Sequence, residues 1–354
     1  MKISIASTSF MPPKLEAWSI LKKYGKINFL DYGNISNFNE YGDVEVSIIF
    51  LRDIIDYYEV SENKLANNKK KIDKIIKLIS SKKKNYKNYI ICFSEHFYIN
   101  SIESSKKIHQ TKELKNYFIN KIYTLINNKN NFFFLDLDQI FSNYGFLKCF
   151  DQRNFFLSRC HLSYFGIEKL AHELSQIILR IYNSSKKVLI IDCDNTLWGG
   201  VLGEDGADNI LMGQDGVGSA YLEFQKAIIK IKNRGIILVL ASKNNKSDVE
   251  HVLKYHKSMY IKHKDITTYK VNWKEKFKNI LDLSHDLFLG TNSFVFWDDN
   301  PIERRKVKLN LNEVEVVEPN KDISEWAKQL LELPSLSKFK TSKDDLNKTK
   351  QYKN

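Results

Sequence analysis

Cysteine is sparse. The chain of 354 residues holds four, Cys92, Cys149, Cys160 and Cys193, and no two stand in a Cys-x-x-Cys spacing. That excludes a cysteine-built zinc motif and gives no disulfide framework, so a reducing, cytoplasmic setting is expected. Long apolar runs are also missing. No segment approaches the roughly 18 apolar residues that span a bilayer, and the apolar stretch within MKISIASTSF is too short for a secretory leader. No membrane insertion is expected. The chain has no internal repeat and no nucleic-acid-binding motif, although its formal net charge is +13. An acidic partner would account for that excess. A lysine-rich bias spread over solvated surface, as in SSKKKNYKN (Ser80 to Asn88), accounts for it without one. A nucleic-acid partner is not expected.

What is present fits two cores. The length exceeds a usual single core, and 43% of residues are hydrophobic. In the first half, Lys2 to Ser7, KINFLDY, VEVSIIFL, Asn88 to Phe93 and Asn131 to Leu135 read as strands. KLEAWSILKKYG (Lys14 to Gly25) and Tyr164 to Asn183 read as amphipathic helices. In the second half, strands are expected at Val188 to Ile191, Ile236 to Ala241, Phe294 to Trp297 and Val314 to Val317. Helices are expected over about Ser219 to Asn233, Ser247 to His256, Lys274 to Asp286 and Pro301 to Lys308, with Ser247 and Glu250 matching a capping box. This alternation predicts an α/β chain of two doubly wound domains. Their expected limits are 1–183 and 184–335, followed by a basic, frayed tail at 336–354.

The chemistry concentrates at strand ends. Asp192 and Asp194 follow the strand VLII, Ser242 ends ILVLAS, and Asp298 and Asp299 end FVFWDD. Lys276 opens a helix. A parallel sheet brings its carboxyl ends to one edge, so these residues are expected to converge. Carboxylates facing one another call for a divalent cation, and all-oxygen ligands suit Mg²⁺. One aspartate can then attack phosphorus, another can shuttle the proton, and a lysine and a hydroxyl can hold phosphoryl oxygens. Each residue alone has a plain structural reading: a strand-end serine, a surface lysine, or Asn300 capping a helix that Pro301 opens. It is their order and joint context that point to a phosphoryl site.

DCDNT, Ser242, Lys276 and the DD pair resemble the four motifs of the haloacid-dehalogenase (HAD) phosphatase superfamily. The resemblance implies Asp192 as nucleophile, Asp194 as acid/base and Lys276 as the neutralising cation. Thr196, Ser242, Lys243 and Asn244 would bind phosphate. Mg²⁺ would take Asp192, the Asp194 carbonyl, and either Asp298 or Asp299. The words DCDNTLWGGVLGEDG, LASKNN, VNWKEKFKNI and FVFWDDNPIERRKV resemble the FkbH-like proteins, subfamily IIIC, over about Val188 to Leu333. That family implies a degenerate SGNH-like first domain and a HAD-like second domain without a large cap. It also implies an activity in which a phosphorylated substrate, such as a bisphosphoglycerate, yields a glyceryl group to an acyl carrier protein. A plain small-molecule phosphatase and a non-catalytic docking protein are the alternatives.

Trp198, Gly199 and Gly200 would form a short flap in that family, against a core tryptophan followed by a turn. The cysteine common before the second-motif serine is Ala241 here, which removes that thioester position and leaves Cys160 and Cys193. Cys193 alternates away from its aspartate neighbours, as a core residue does. His161 precedes a YFG helix as the histidine of SGNH hydrolases does, with Ser7 and Ser9 as candidate nucleophiles. Ser158 stands where that block wants an aspartate, so a retired site is the competing reading.

Overall fold

In a computed structural model, residues 1–35, 42–55, 64–81, 86–95, 110–183 and 185–338 are described. The chain divides into two units, Met1–Ile178 and Leu179–Asn354. The first holds strands β1 (Lys2–Ser7), β2 (Lys26–Phe29), β3 (Gly42–Phe50), β4 (Tyr86–Ser94) and β5 (Phe132–Asp136), in the order β2-β1-β3-β4-β5. All neighbours pair in parallel. Parallel pairing requires crossovers, and the helices Leu65–Ser80 and Gln110–Asn128 supply two of them. Ile72 and Ile79 of the former pack with Leu114, Phe118 and Ile122 of the latter over Ile91 and Phe93 of β4. Each such side chain removed from water contributes about 1.5–3 kcal/mol.

The second unit holds β6 (Val188–Ile191), β7 (Ile237–Ser242), β8 (Thr268–Val271), β9 (Phe294–Trp297) and β10 (Glu315–Val316), in the order β10-β9-β6-β7-β8. Its pairings are also all parallel. Side chains alternate between the two faces with the period of a strand. Leu189, Ile191, Leu238, Leu240, Val295 and Trp297 enter one core with Phe224 and Trp326. Val188, Ile190, Val239, Phe294 and Phe296 enter the other with Ile280, Leu283 and Val307. Both faces are therefore covered, which explains why these strands read as continuous apolar runs. Both units are doubly wound α/β folds. In the second, the strand order reverses between β6 and β9, which places a crevice at their carboxyl ends.

Several local expectations differ. β8 was not anticipated, because its residues Thr268, Tyr269 and Lys270 are only half-buried and make no apolar run. Ser247 does not cap its helix. The helix is Lys246–Tyr255 with Asn245 at the cap position, and the Ser247 hydroxyl donates to Asp248 instead. KLEAWSILKKYG forms only the short turns Glu16–Trp18 and Ser19–Lys22. The SSKKKNYKN stretch ends inside β4, which starts at Tyr86. Between β6 and β7 the regular elements are the helices Leu202–Asp205 and Gly216–Lys232, and no cap domain is inserted there. Among the described residues no helix is long and apolar enough to cross a membrane. The tail beyond Lys338 lies outside the described residues.

Candidate active site

β6 delivers Asp192 to the crevice, and the Asp192 N–H donates to the Trp297 carbonyl of β9 at 3.1 Å. β9 delivers Asp298 and Asp299 alongside. Oxygens of Asp192, Asp298 and Asp299 lie within 4.8 Å of one another. Lys276, at the start of the helix Lys276–Asp286, inserts its ammonium between two of them, 2.6 Å from Asp298 Oδ2 and 2.8 Å from Asp192 Oδ1. Two ionised carboxylates at such a separation repel by about 3–4 kcal/mol at an effective dielectric near 20. One lysine does not neutralise three carboxylates. Burial, with Asp192 adding to it, pushes the Asp298 carboxyl up to about 7 against the opposing pull of Lys276. Burial and Asp192 also raise Asp299. Burial works against the Lys276 charge, but Asp192 and Asp298 outweigh it and hold the ammonium above its ordinary range.

This donor set fits a hard divalent cation. All three candidate ligands offer carboxylate oxygen, the kind Mg²⁺ takes. Asp192 Oδ1 is buried, and its contact with Lys276 is an ion pair rather than an aligned hydrogen bond. That oxygen therefore has acceptor capacity to spare.

Asp194 is held differently. Its Oδ1 accepts from Trp198 Nε1 at 3.0 Å and from the Leu202 N–H at 3.1 Å, and its Oδ2 accepts from Asn244 Nδ2 at 2.8 Å. Burial raises its carboxyl, and these three donors pull it back. Trp198 is fully buried within the core, so it reads as a core tryptophan and not as a flap. The turn after it depends on glycine. Gly200 has φ +97°, and a Cβ there would lie 2.5 Å from Asp205 Oδ2. Asn195, also left-handed at φ 50°, accepts from the Gly200 N–H at 2.9 Å and closes the loop.

The remaining expected residues are placed as follows. Thr196 is buried, and its hydroxyl bonds Asp299 Oδ1 at 3.2 Å. Ser242 lines a cavity of about 200 Å³ with Asp192, Asp194, Lys276 and Asp299. Lys243 lines it too, but its ammonium sits 3.0 Å from Glu303 and 3.8 Å from Glu275. Asn300 caps the helix Pro301–Asn310 by accepting from the Ile302 N–H. Sequence reasoning missed Glu303. It also missed Arg304, whose guanidinium donates to the carbonyls of Asp298 and Asp299 at 2.8 and 2.6 Å and fixes that turn. A glutamate three residues after Asn300 reads as half of a capping box at a helix start, which gives no hint of the cavity it lines.

At the carboxyl ends of β1 and β3 in the first unit, His161 Nε2 lies 2.7 Å from Asp53 Oδ1. Asp53 also accepts from the Thr8 hydroxyl at 2.9 Å. The Ser9 hydroxyl donates to the Arg159 carbonyl at 2.9 Å and accepts from the His161 backbone N–H at 3.1 Å. Ser7 Oγ accepts from the Ser9 N–H at 3.0 Å. The imidazole is fully buried, stacked on Phe155 at 4.5 Å. The acid partner absent at Ser158 is thus Asp53, 108 residues away from the histidine. Cys160 is buried, and its thiol, raised mainly by that burial, donates to the Leu162 carbonyl.

No protein-family model matches the chain, and no curated protein does. A solved structure is similar over nearly the whole length: the N-terminal part of the protein BF1531 from Bacteroides fragilis, containing a phosphatase domain, complexed with Mg. The match has a TM-score of 0.80 and 24% identity, and covers 93% of this chain and 92% of that one. At that identity the likeness establishes a shared fold across both units.

Proposed function

We propose that the second unit is a Mg²⁺-dependent phosphatase working through an aspartyl-phosphate. The observation that carries this reading is the cluster of Asp192, Asp298 and Asp299 around the Lys276 ammonium at the switch point of the sheet, where Asp192, Asp299 and Lys276 line one small cavity. The Mg complex of the similar phosphatase-domain structure supports it.

Asp192 attacks phosphorus in line, the bond from phosphorus to the leaving oxygen breaks, and Asp194 supplies the proton that oxygen takes. Burial favours the protonated form that this step needs. Asp194 then takes a proton from the water that splits the aspartyl-phosphate. Lys276 and the Ser242 hydroxyl hold the phosphoryl oxygens, and Thr196 keeps Asp299 in place through its hydroxyl. Mg²⁺, held by Asp192, by Asp298 or Asp299 and by the Asp194 carbonyl, would offset the charge of the phosphoryl group.

The finer reading couples phosphate removal to transfer of a glyceryl or similar acyl group onto the thiol of an acyl carrier protein. The first unit would act as a degenerate SGNH-like docking domain. The uncapped crevice supports an acceptor of that size. The acceptor thiol would belong to the carrier, because all four cysteines of this chain are buried and the Cys193 thiol, desolvated and beside Asp192, is pushed well up.

The test is phosphate release by the wild type and by Asp192→Asn with Mg²⁺, followed by intact-mass measurement of an added phosphopantetheinylated carrier protein with a bisphosphoglycerate. Asp192→Asn is expected to lose release and keep substrate binding. Undiminished release would overturn the phosphatase reading, and an unmodified carrier would overturn the transfer reading alone.

A further inference from the structure

Glu303 is the third residue of the helix Pro301–Asn310, close behind the Asp298–Asp299 turn. A glutamate there ordinarily reaches back to the backbone N–H of the capping residue. The Asn300 N–H already donates to Asp298 Oδ1 at 2.9 Å, so that role is taken. The Glu303 side chain instead lines the same cavity of about 200 Å³ as Asp192, Asp194, Ser242 and Lys276. It is only 6% exposed. Its Oε1 receives Lys243 at 3.0 Å and stands 3.8 Å from Lys306. Its Oε2 is buried and has no hydrogen-bond partner among the described residues.

An unmatched buried acceptor costs about 1–3 kcal/mol, and more when it is charged. Such an oxygen beside a phosphoryl site invites a donor from the ligand. The charge around it narrows the choice. Lys243 and Lys306 are shared between Glu303 and Glu275, two ammoniums against two carboxylates, so a further ammonium from the ligand would find the charge already answered. A neutral hydroxyl satisfies the oxygen without adding charge. Position narrows it further. Glu303 lines the same small cavity as Asp192, Ser242 and Lys276, so the hydroxyl that meets it must lie close to the phosphoryl group. Lys243, drawn to Glu303 and Glu275, orients this carboxylate.

We propose that Glu303 is a specificity-determining residue which accepts a hydrogen bond from a hydroxyl of a small polyol monophosphate. The inference rests on the phosphatase reading and adds its substrate class.

The test measures calorimetric affinity in the presence of Mg²⁺, with Asp192→Asn as the silent background. The ligands are glycerol 3-phosphate, propyl phosphate and phosphoethanolamine. A hydrogen bond to a charged acceptor predicts that glycerol 3-phosphate binds at least about 10-fold more tightly than propyl phosphate. Adding Glu303→Leu should bring the two within about two-fold of each other. Glu303→Gln keeps the shape with a weaker, neutral acceptor, and should lower the preference by about three-fold or more. Equal binding in the background variant, binding of neither ligand, tightest binding of phosphoethanolamine, or a preference that survives both substitutions would each overturn the inference. Phosphate release by the wild type separates the two readings. Release from both esters without preference sinks only the Glu303 assignment. A binding preference without any release sinks only the phosphatase.

Discussion

The two units carry the same kind of parallel sheet, and each places polar residues where its strand order reverses. The outcomes differ. At the ends of β1 and β3, Ser7, Thr8, Ser9, Asp53 and His161 bond chiefly to one another and to backbone, around a fully buried imidazole. At the ends of β6 and β9, carboxylates outnumber the one lysine between them and face a cavity. The first arrangement is balanced within the protein; the second carries an excess of negative charge that a cation would offset. A doubly wound sheet supplies the location, while the charge balance of the side chains there decides whether the location is a site.

The comparison is broken most directly by activity. Asp192→Asn should lower phosphate release by about 10⁴-fold, in line with loss of a covalent nucleophile, while Ser9→Ala should leave it within about two-fold. A comparable loss from Ser9→Ala would show that the first unit takes part in the chemistry. Stability gives the next largest contrast. Lys276→Met leaves Asp192 and Asp298 facing each other without a cation, and should cost the second unit about 3–5 kcal/mol in EDTA. Asp53→Asn removes one charge from a hydrogen-bonded pair and should cost the first unit about 1–3 kcal/mol. Denaturant unfolding, with each unit followed separately, checks both values.

The pH response sharpens the same point. The Asp298 carboxyl stands near 7 in the folded protein against an ordinary 3.8. A proton therefore binds the folded state better than the unfolded one. The stabilisation this gives the metal-free protein is complete below about pH 4 and is lost as pH rises through about 7. Melting temperatures in EDTA should fall across that window, and apparent Mg²⁺ affinity should rise across it, since the cation competes with the proton. A flat metal-free profile would remove the charge imbalance from the argument. The smallest effect is expected at Trp198. Trp198→Phe keeps most of the buried ring but removes one donor to Asp194, and should lower kcat about three- to ten-fold with little change in KM.

Much of this was legible in the residues themselves. β6, β7 and β9 are buried on both faces, so they appear as plain apolar runs, and the carboxylates that end them stand out. What stayed hidden lacks a local pattern. β8 is half polar at a sheet edge. Asp53 finds His161 only through the fold. Glu303 looks like an ordinary residue of a first helical turn, and Trp198 hides a hydrogen bond to Asp194 behind its place in the core. Pairings across long stretches of chain leave no periodicity to read.

The burial of Cys92, Cys149, Cys160 and Cys193 has a practical consequence. Thiol reagents attack accessible thiolates, and these side chains are neither exposed nor readily ionised. A single cysteine introduced at a solvent-facing position such as Trp273 or Phe288, which are 71% and 94% exposed, would stand alone as a labelling handle. A fluorophore or spin label attached there could follow ligand arrival in real time on an otherwise native background.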